Sequence, residues 1–388
     1  MRHWSTLYRT TIWAILAGSL AAASAGETAR RSPQSSLDDP SWRSQQEVAR
    51  PWTREEMMSA VPDDLPGVTE ADIAGWAAEA AHDTSYDRAG GPGVIPPGLP
   101  AGERSAVAES PGGPPAVFAA PADGEQPRGY AYPAPFTRYE TFPSYTNFPH
   151  QTVGKVFFTK PGVGNFVCSA ASIGGDGVFT AAHCVHDSRT DTWWTNWVFV
   201  PAYKDGAAPY GQWTANHLWV QGGWINGGNG DFRYDLGGAV LNRKSGKKLS
   251  QTVGWLGFLW NANANAHWTL IGYPQASPFN GKLQQICQSS YAYSAGGAYP
   301  DPVGVGCDLT GGSSGGPWIV KYSKGASNNN YLNGVNSFAR CANTGCSTVL
   351  VEMFSPYFDN VAKSLRDCIV NSVPGNPADP ARGCAPGT

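Results

Sequence analysis

From about residue 143 onward, the chain is a succession of short apolar runs rich in β-branched and aromatic residues, each closed by glycine, asparagine, aspartate or proline. Such runs, with no helical period between them, predict strands, and many such strands predict an antiparallel barrel or sandwich. We therefore predict an all-β fold. The predicted strands cover residues 155–159, 166–173, 178–182, 197–202, 236–241, 253–258, 268–273, 283–288, 318–321, 333–338 and 349–354.

Near the C-terminal end the pattern changes, because apolar side chains recur there at every fourth position and predict an amphipathic α-helix. Ser355 is its predicted N-cap and Pro356 its first residue. The helix closes a domain of residues 141–372, and residues 373–388 form a tail. The recurring apolar residues are Tyr357, Val361, Leu365 and Ile369.

The first residues carry a different apolar run. The run covers residues 12–23, follows Arg2 and Arg9 and ends at the small residues Ala23-Ser24-Ala25, which predicts a signal peptide over residues 1–25. A membrane anchor is the alternative, but the run is shorter than the roughly 20 residues that a span needs. We expect a secreted, extracellular protein with no membrane contact after signal removal.

Residues 26–140 are rich in proline, glycine, alanine, serine and acidic residues. This composition predicts little burial of apolar surface, so we interpret the stretch as a propeptide or flexible leader. A permanently attached linker is the alternative. Residues 69–81 could form a short helix within it.

Composition narrows the function classes. The chain has 388 residues, a hydrophobic content of 41%, a charged content of 15% and a net charge of −3. Such a chain can bury a sizeable core, and its charge gives no reason to expect nucleic acid or an anionic membrane as a partner. We expect a monomer.

In an exported chain, the even number of cysteines, eight, points to disulfides rather than to metal or thiol chemistry. We predict no metal site, because no cysteine cluster has zinc-finger spacing with suitable histidines. The oxygen-rich loop 226–231 could bind calcium, but a solvated turn is our interpretation. Spacing alone leaves the connectivity open, and sequential pairing would give Cys168–Cys184, Cys287–Cys307, Cys341–Cys346 and Cys368–Cys384.

The strongest chemical signal is the glycine-dense turn at residues 310–317, which holds Ser313 and Ser314. Glycines allow the backbone to approach a substrate closely, and a serine nucleophile needs backbone N–H donors about 3 Å from the oxyanion that it generates. The N–H groups of Gly312 and Ser314 are the candidate donors.

A serine hydroxyl also needs a base, and imidazole has a suitable pKa. Of the seven histidines, His183 lies among small residues at the end of a predicted strand, next to Cys184. We interpret His186 as solvated, and His217 and His267 as structural.

The third catalytic group must orient the imidazole, which a buried carboxylate at the start of an apolar strand can do. Asp235 directly precedes such a strand. Asp231, in a loop four residues earlier, is the competitor that we disfavour.

The segments Thr180-Ala181-Ala182-His183-Cys184 and Ser313-Ser314-Gly315-Gly316-Pro317 resemble the histidine and serine motifs of trypsin-like serine peptidases with the chymotrypsin fold. The order His183, Asp235, Ser314 is also that family's order. The resemblance implies two antiparallel six-stranded barrels with the active site between them, Ser314 as the nucleophile, and a Cys168–Cys184 disulfide beside His183. Asp308-Leu309-Thr310-Gly311-Gly312 is similar to the serine loop of the bacterial V8-like, glutamyl endopeptidase branch.

The departures from the family pattern concern activation and specificity. Ser313 stands where digestive trypsin-like enzymes have an aspartate that receives the freed N-terminal amine, so a propeptide here would act sterically or as a folding aid. Asn336 stands where glutamate-specific members have a histidine. Asp308 stands where trypsin-like pockets carry their selector for basic residues, so the preferred substrate residue stays open.

The sequence thus predicts a secreted serine endopeptidase that hydrolyses protein or peptide substrates through an acyl-enzyme, with no cofactor. The alternatives are a catalytically silent binding protein of the same fold, or an esterase with the same triad. A lipase-like elbow would require the order Ser, Asp, His, which is the reverse of the order here. The tryptophans could form a carbohydrate platform, but we interpret them as core packing: Trp193, Trp194, Trp197, Trp213, Trp219 and Trp224.

Overall fold

The computed structural model describes residues 32–42, 50–82, 91–100, 132–226, 230–295, 301–324, 328–379 and 384. The predicted signal peptide lies outside these residues, as do positions 227–229 of the loop considered for calcium. Across the part of the chain that is described, no helix is long and apolar enough to cross a membrane.

The leader contributes short elements that pair with the body of the protein. Its helix Glu70–His82 matches the predicted helix over 69–81, and Thr69 and Asp72 cap its start by exchanging backbone and side-chain hydrogen bonds. The elements in chain order are β1 Gln34–Ser35, α1 Arg54–Ser59, β2 Val61–Pro62, β3 Gly67–Val68, α2 Glu70–His82, β4 Gly93–Ile95 and β5 Thr137–Glu140.

The first half of the body is a closed barrel of six strands, in the order β12-β11-β6-β7-β8-β13, with β13 pairing back to β12. All of these pairings are antiparallel, as predicted. The strands of this half are β6 Val153–Lys160, β7 Gly164–Gly174, β8 Gly177–Thr180, β9 His186–Asp187, β10 Thr192–Trp193, β11 Thr195–Pro201, β12 Trp213–Val220 and β13 Gly237–Leu241.

The second half forms a sheet with the order β21-β17-β16-β15-β18-β19-β14-β4, and β5 pairs with β16 outside this path. One pairing on this path, β14 with β19, is parallel and not antiparallel as predicted. The path does not return on itself among the described strands, so closure of a second six-stranded barrel remains a prediction. The strands of this half are β14 Gly257–Trp260, β15 His267–Gly272, β16 Gln285–Ser294, β17 Val303–Gly306, β18 Pro317–Val320, β19 Tyr331–Val335, β20 Ala339–Arg340 and β21 Glu352–Ser355. Of these, β20 lies outside the sheet and pairs with β3 of the leader.

Within the described residues, the α-helices of the body are α3 Gly222–Asn226, α4 Leu249–Val253 and α5 Asn360–Asn371. The predicted C-terminal helix is present, but the predicted cap is wrong. Asp359 caps α5 by accepting hydrogen bonds from two backbone N–H groups. Ser355 instead ends β21, and its hydroxyl accepts a hydrogen bond from the Val335 N–H.

The cysteines are bonded as sequential neighbours. Cys168–Cys184 joins β7 to the turn that carries His183, and Cys368–Cys384 joins α5 to the tail. The other two disulfides are Cys287–Cys307 and Cys341–Cys346.

The tryptophans considered as a platform are buried. Trp194 and Trp197 donate their ring N–H groups to the carbonyls of His183 and Cys184, at 2.8 and 3.0 Å. Aromatic packing thus fixes the turn after β8, and no carbohydrate platform is formed by these six side chains, all 6% exposed or less.

Candidate active site

His183 lies in a single helical turn, Ala182–Cys184, directly after β8. Its backbone N–H donates to Asp235 Oδ1 at 2.9 Å, and its ring Nδ1 lies 2.8 Å from Asp235 Oδ2. Because both carboxylate oxygens hold the same residue, Asp235 fixes the backbone and the ring of His183 together. With Nδ1 engaged in this way, Nε2 is the ring atom left to meet a substrate or nucleophile.

Asp235 is buried, just before β13. The Ser337 hydroxyl also donates to its Oδ2, at 2.6 Å. The competing residue, Asp231, has another partner: its carboxylate pairs with the Arg233 guanidinium at 2.6 Å. The structure therefore brings Asp235 to His183, and keeps Asp231 in a separate buried ion pair.

The electrostatic surroundings of His183 favour the protonated ring. Burial acts to lower the pKa of His183, but the charge and hydrogen bond of Asp235, with a smaller contribution from the Asp63 charge, raise this pKa above its ordinary value. An imidazole with a raised pKa is a stronger base, and its cationic form is stabilised during proton transfer.

Ser314 is linked to the turn that carries His183 by a hydrogen bond and a disulfide. Its carbonyl accepts a 2.7 Å hydrogen bond from the N–H of Ser169. Ser169 follows Cys168, which is bonded to Cys184 beside His183. Ser314 Oγ and His183 Nε2 are both buried and have no hydrogen-bond partner among the described residues.

The glycine-dense turn has a positive φ and a close backbone contact at Gly312, both of which favour glycine. Gly312 has a φ of 92°, and a Cβ there would lie 2.8 Å from the Tyr273 carbonyl oxygen. The Ser169 hydroxyl donates to the Gly312 carbonyl at 3.0 Å. The Gly312 N–H, which we predicted as an oxyanion donor, instead donates to the carbonyl of Asp63 in the leader, at 3.0 Å.

Asp63 belongs to a leader segment that runs from the first barrel to β20, in the second half of the body. Before Asp63, β2 pairs in parallel with β7, and the Asp63 N–H donates to the Val167 carbonyl at 3.0 Å. After Asp63, β3 pairs in parallel with β20, and the carbonyls of Pro66 and Val68 accept hydrogen bonds from Ala339 and Cys341. Between these two pairings the segment therefore passes the serine turn, which it contacts at Gly312.

Asp308 and Asn336, the two residues suggested for the substrate pocket, both have partners within the protein. Asp308 forms an ion pair with Arg138 of β5 at 3.0 Å. Asn336 is buried; its Oδ1 accepts from the Trp318 ring N–H at 2.9 Å, and its Nδ2 donates to the Ser313 carbonyl at 3.0 Å. Asn336 thus positions the serine turn.

Among the described residues, ligand atoms of Cys168, His183 and Cys184 lie within 4.8 Å of one another. The two sulfurs are joined in a disulfide, so they cannot act as thiolate ligands.

His186, which we interpreted as solvated, is fully buried and its Nε2 lies 3.0 Å from Asp191 Oδ1. That interpretation was wrong, because the ring also packs edge-on against Trp193.

Sequence reasoning missed Ser169, Ser337 and Asp63. Each acts through a contact with a residue more than a hundred positions away in sequence. Ser337 carried a weak signal, because it directly follows Asn336, the residue that stands where glutamate-specific members have a histidine. Asp63 carried none, because its contact with Gly312 is made by its backbone carbonyl, which every residue type has.

The closed barrel, the paired His183 and Asp235 and the neighbouring serine turn define a class, and comparisons with known proteins agree with it: the chain belongs to the serine peptidases of the chymotrypsin fold. It is 37% identical to the protease Anisep from Arthrobacter nicotinovorans, over 57% of this chain and 96% of that one, with a TM-score of 0.50. It is 33% identical to a thermostable serine protease, AL20, from an extremophilic microorganism, over 56% and 95% of the two chains, with a TM-score of 0.50.

A curated relative matches a shorter part of the chain. Over 109 residues the sequence is 27% identical to glutamyl endopeptidase from Bacillus licheniformis, which covers 28% of this chain and 32% of the relative. The match therefore spans about a third of that relative's length. No model of a known protein family matches the sequence.

Proposed function

We propose that the protein is a secreted, monomeric serine endopeptidase that cuts protein or peptide substrates through an acyl-enzyme. The observation that supports this most directly is the pair of hydrogen bonds from His183 to Asp235, next to a serine turn of the family. His183 Nε2 takes the proton of Ser314 Oγ, which attacks the peptide carbonyl. The N–H groups of Gly312 and Ser314 stabilise the oxyanion, His183 protonates the leaving amine, and water then releases the acyl group.

The leader is a propeptide that blocks the site in this proposal. Its Asp63 carbonyl occupies the Gly312 N–H, which a substrate carbonyl would otherwise use. The inhibition is steric, as expected for a chain with Ser313 where the activating aspartate stands in digestive enzymes.

Chain direction explains why the blocking segment would not be cut at Asp63. His183 protonates the leaving amine, so the C-terminal half of a substrate should lie toward the first barrel, which carries His183. The leader runs the other way: residues before Asp63 contact β7 of the first barrel, and residues after it contact β20. The peptide bond at Asp63 is thus presented with the opposite polarity to that of a substrate.

A fluorophosphonate probe tests the assignment of Ser314. We expect the protein to label after limited digestion of the leader and to cut a denatured proteome, and we expect Ser314→Ala to abolish both. Ser313→Ala is the matched control, which should still label because Ser313 is not the nucleophile. N-terminal sequencing of the digested sample should find a start between about residues 121 and 146.

Other outcomes favour other functions. Equal labelling of the wild type and Ser314→Ala would contradict the assignment. A protein that labels but leaves the proteome intact would be an esterase with the same triad, and one that neither labels nor cuts would be a catalytically silent binding protein.

A further inference from the structure

Lys160, the last residue of β6, faces the leader segment that crosses the candidate active site. Its Nζ lies 2.6 Å from Asp63 Oδ1, with 20% of the Lys160 side chain and 9% of the Asp63 side chain exposed. The same Nζ lies 4.6 Å from the Phe166 ring centroid and 5.0 Å from that of Trp194. The Lys160 cation thus lies against two aromatic rings. Its carboxylate partner, Asp63, belongs to the leader segment, which has to leave before a substrate can bind.

The backbone of Asp63 fixes where this cation lies relative to the reaction. The Asp63 carbonyl oxygen accepts from the Gly312 N–H, and its N–H donates to the Val167 carbonyl, each at 3.0 Å. One and the same residue therefore places a carbonyl on the proposed oxyanion donor and a carboxylate on Lys160. Only the side chain of Asp63 therefore separates Lys160 Nζ from the position that a reacting carbonyl would take.

Lys160 also lies on a definite side of the proposed scissile bond. It belongs to β6, which pairs along its length with β7 of the first barrel. His183 belongs to the same barrel and has to protonate the leaving amine, so the substrate residues after the scissile bond lie on this side.

We propose that Lys160, with the rings of Phe166 and Trp194, forms a carboxylate-binding subsite for an aspartate or glutamate on the leaving side of the scissile bond, and that Asp63 fills this subsite while the leader is bound. The inference rests on the proposed function. It assigns Lys160 a role in substrate specificity that continues after the leader has been removed. A lysine that served only to hold the leader would have no effect on the processed enzyme.

Cleavage-site profiling tests the subsite. The full-length chain is activated by limited digestion, quantified by fluorophosphonate labelling, and incubated with a denatured proteome, and the first two residues after each cut are identified. We expect the wild type to favour acidic residues at one of these positions. We expect Lys160→Gln to reduce this preference about tenfold, the size of a hydrogen-bonded charge pair, and Lys160→Glu to favour lysine and arginine instead.

The matched control is Lys282→Gln, because Lys282 pairs with Asp205 on the surface at 3.1 Å, with about half of its side chain exposed, 49%. This variant should keep the acidic preference. A wild-type measurement needs no variant: the preference should weaken as ionic strength rises, because charge pairs are screened.

The two proposals fail in different ways. If the activated wild type does not label, the proposed function is wrong. If it labels and cuts without favouring acidic residues after the scissile bond, or if Lys160→Gln labels normally and keeps that preference, the subsite is wrong and the proposed function stands.

Discussion

The buried carboxylate of Asp235 accepts hydrogen bonds from the His183 backbone, the His183 ring and the Ser337 hydroxyl. This set explains how one residue both orients the imidazole and raises its pKa. The sequence allowed Asp235 to be chosen over Asp231, because only Asp235 directly precedes an apolar strand. It did not reveal Ser337, because that contact depends on how the second sheet packs against the first barrel.

At the residue scale, Asp235→Asn should reduce kcat/KM by about 10⁴-fold, because the amide neither keeps the ring tautomer nor stabilises its charged form. The Asp235 charge and hydrogen bond raise the His183 pKa, and both remain when the leader is removed, so activity should rise with pH through a value above that of an ordinary histidine. Losing the Asp235 charge should move this limb to lower pH. The measurement is the pH profile of kcat/KM for the activated enzyme.

Asp231→Asn is the control for that profile. Asp231 pairs with Arg233 and has no hydrogen bond to His183 in the described structure, so the variant should lose stability but keep the position of the pH limb. A shift of the same size in both variants would contradict the assignment of Asp235.

At the scale of elements, periodicity predicted most of the strands of the body but missed β12, β17 and the two-residue strands β9, β10 and β20. Asn216 and His217 interrupt the apolar pattern of β12, although His217 is fully buried there. Residues 253–258, predicted as a strand, begin at the end of α4 instead, and β14 starts at Gly257. The leader strands β2 and β3 have two residues each, so their existence depends on the partner strands and not on their own pattern.

The leader segment β2 to β3 gives a prediction at this scale. Asp63→Ala removes the carboxylate that pairs with Lys160, so the segment should leave the site more easily. We expect the undigested chain to label with a fluorophosphonate about tenfold faster than the wild type does. The measurement is the initial labelling rate before any cleavage of the leader.

Asp64→Ala is the matched control, since Asp64 is the same residue type one position away and is exposed. Its labelling rate should stay that of the wild type. Faster labelling of both variants would mean that the leader is loosened without any part played by Lys160.

At the scale of the whole molecule, the His and Ser motifs resemble those of the family, and that resemblance implied the closed first barrel. Neither the motifs nor the composition predicted the folding of the leader onto the body. Average composition hides a few large side chains: Trp42, Trp52 and Trp76 are at least 92% buried, with exposures of 1, 3 and 8%. Trp76 of α2 packs against Phe338, and its carbonyl accepts a hydrogen bond from Arg233. Such contacts depend on the assembled barrel, so no local pattern could predict them.

The pairing of β4 with β14 has a consequence for solubility. β14 has β19 on one side, and β4 of the leader covers its other side from Gly93 to Ile95. When the leader departs, β14 becomes an edge strand with Phe258, Leu259 and Trp260 beside unpaired backbone groups, the arrangement that favours aggregation between copies. Light scattering at equal concentration should therefore show more self-association for the activated enzyme than for the full-length chain, and equal scattering would show that the new edge is protected in another way.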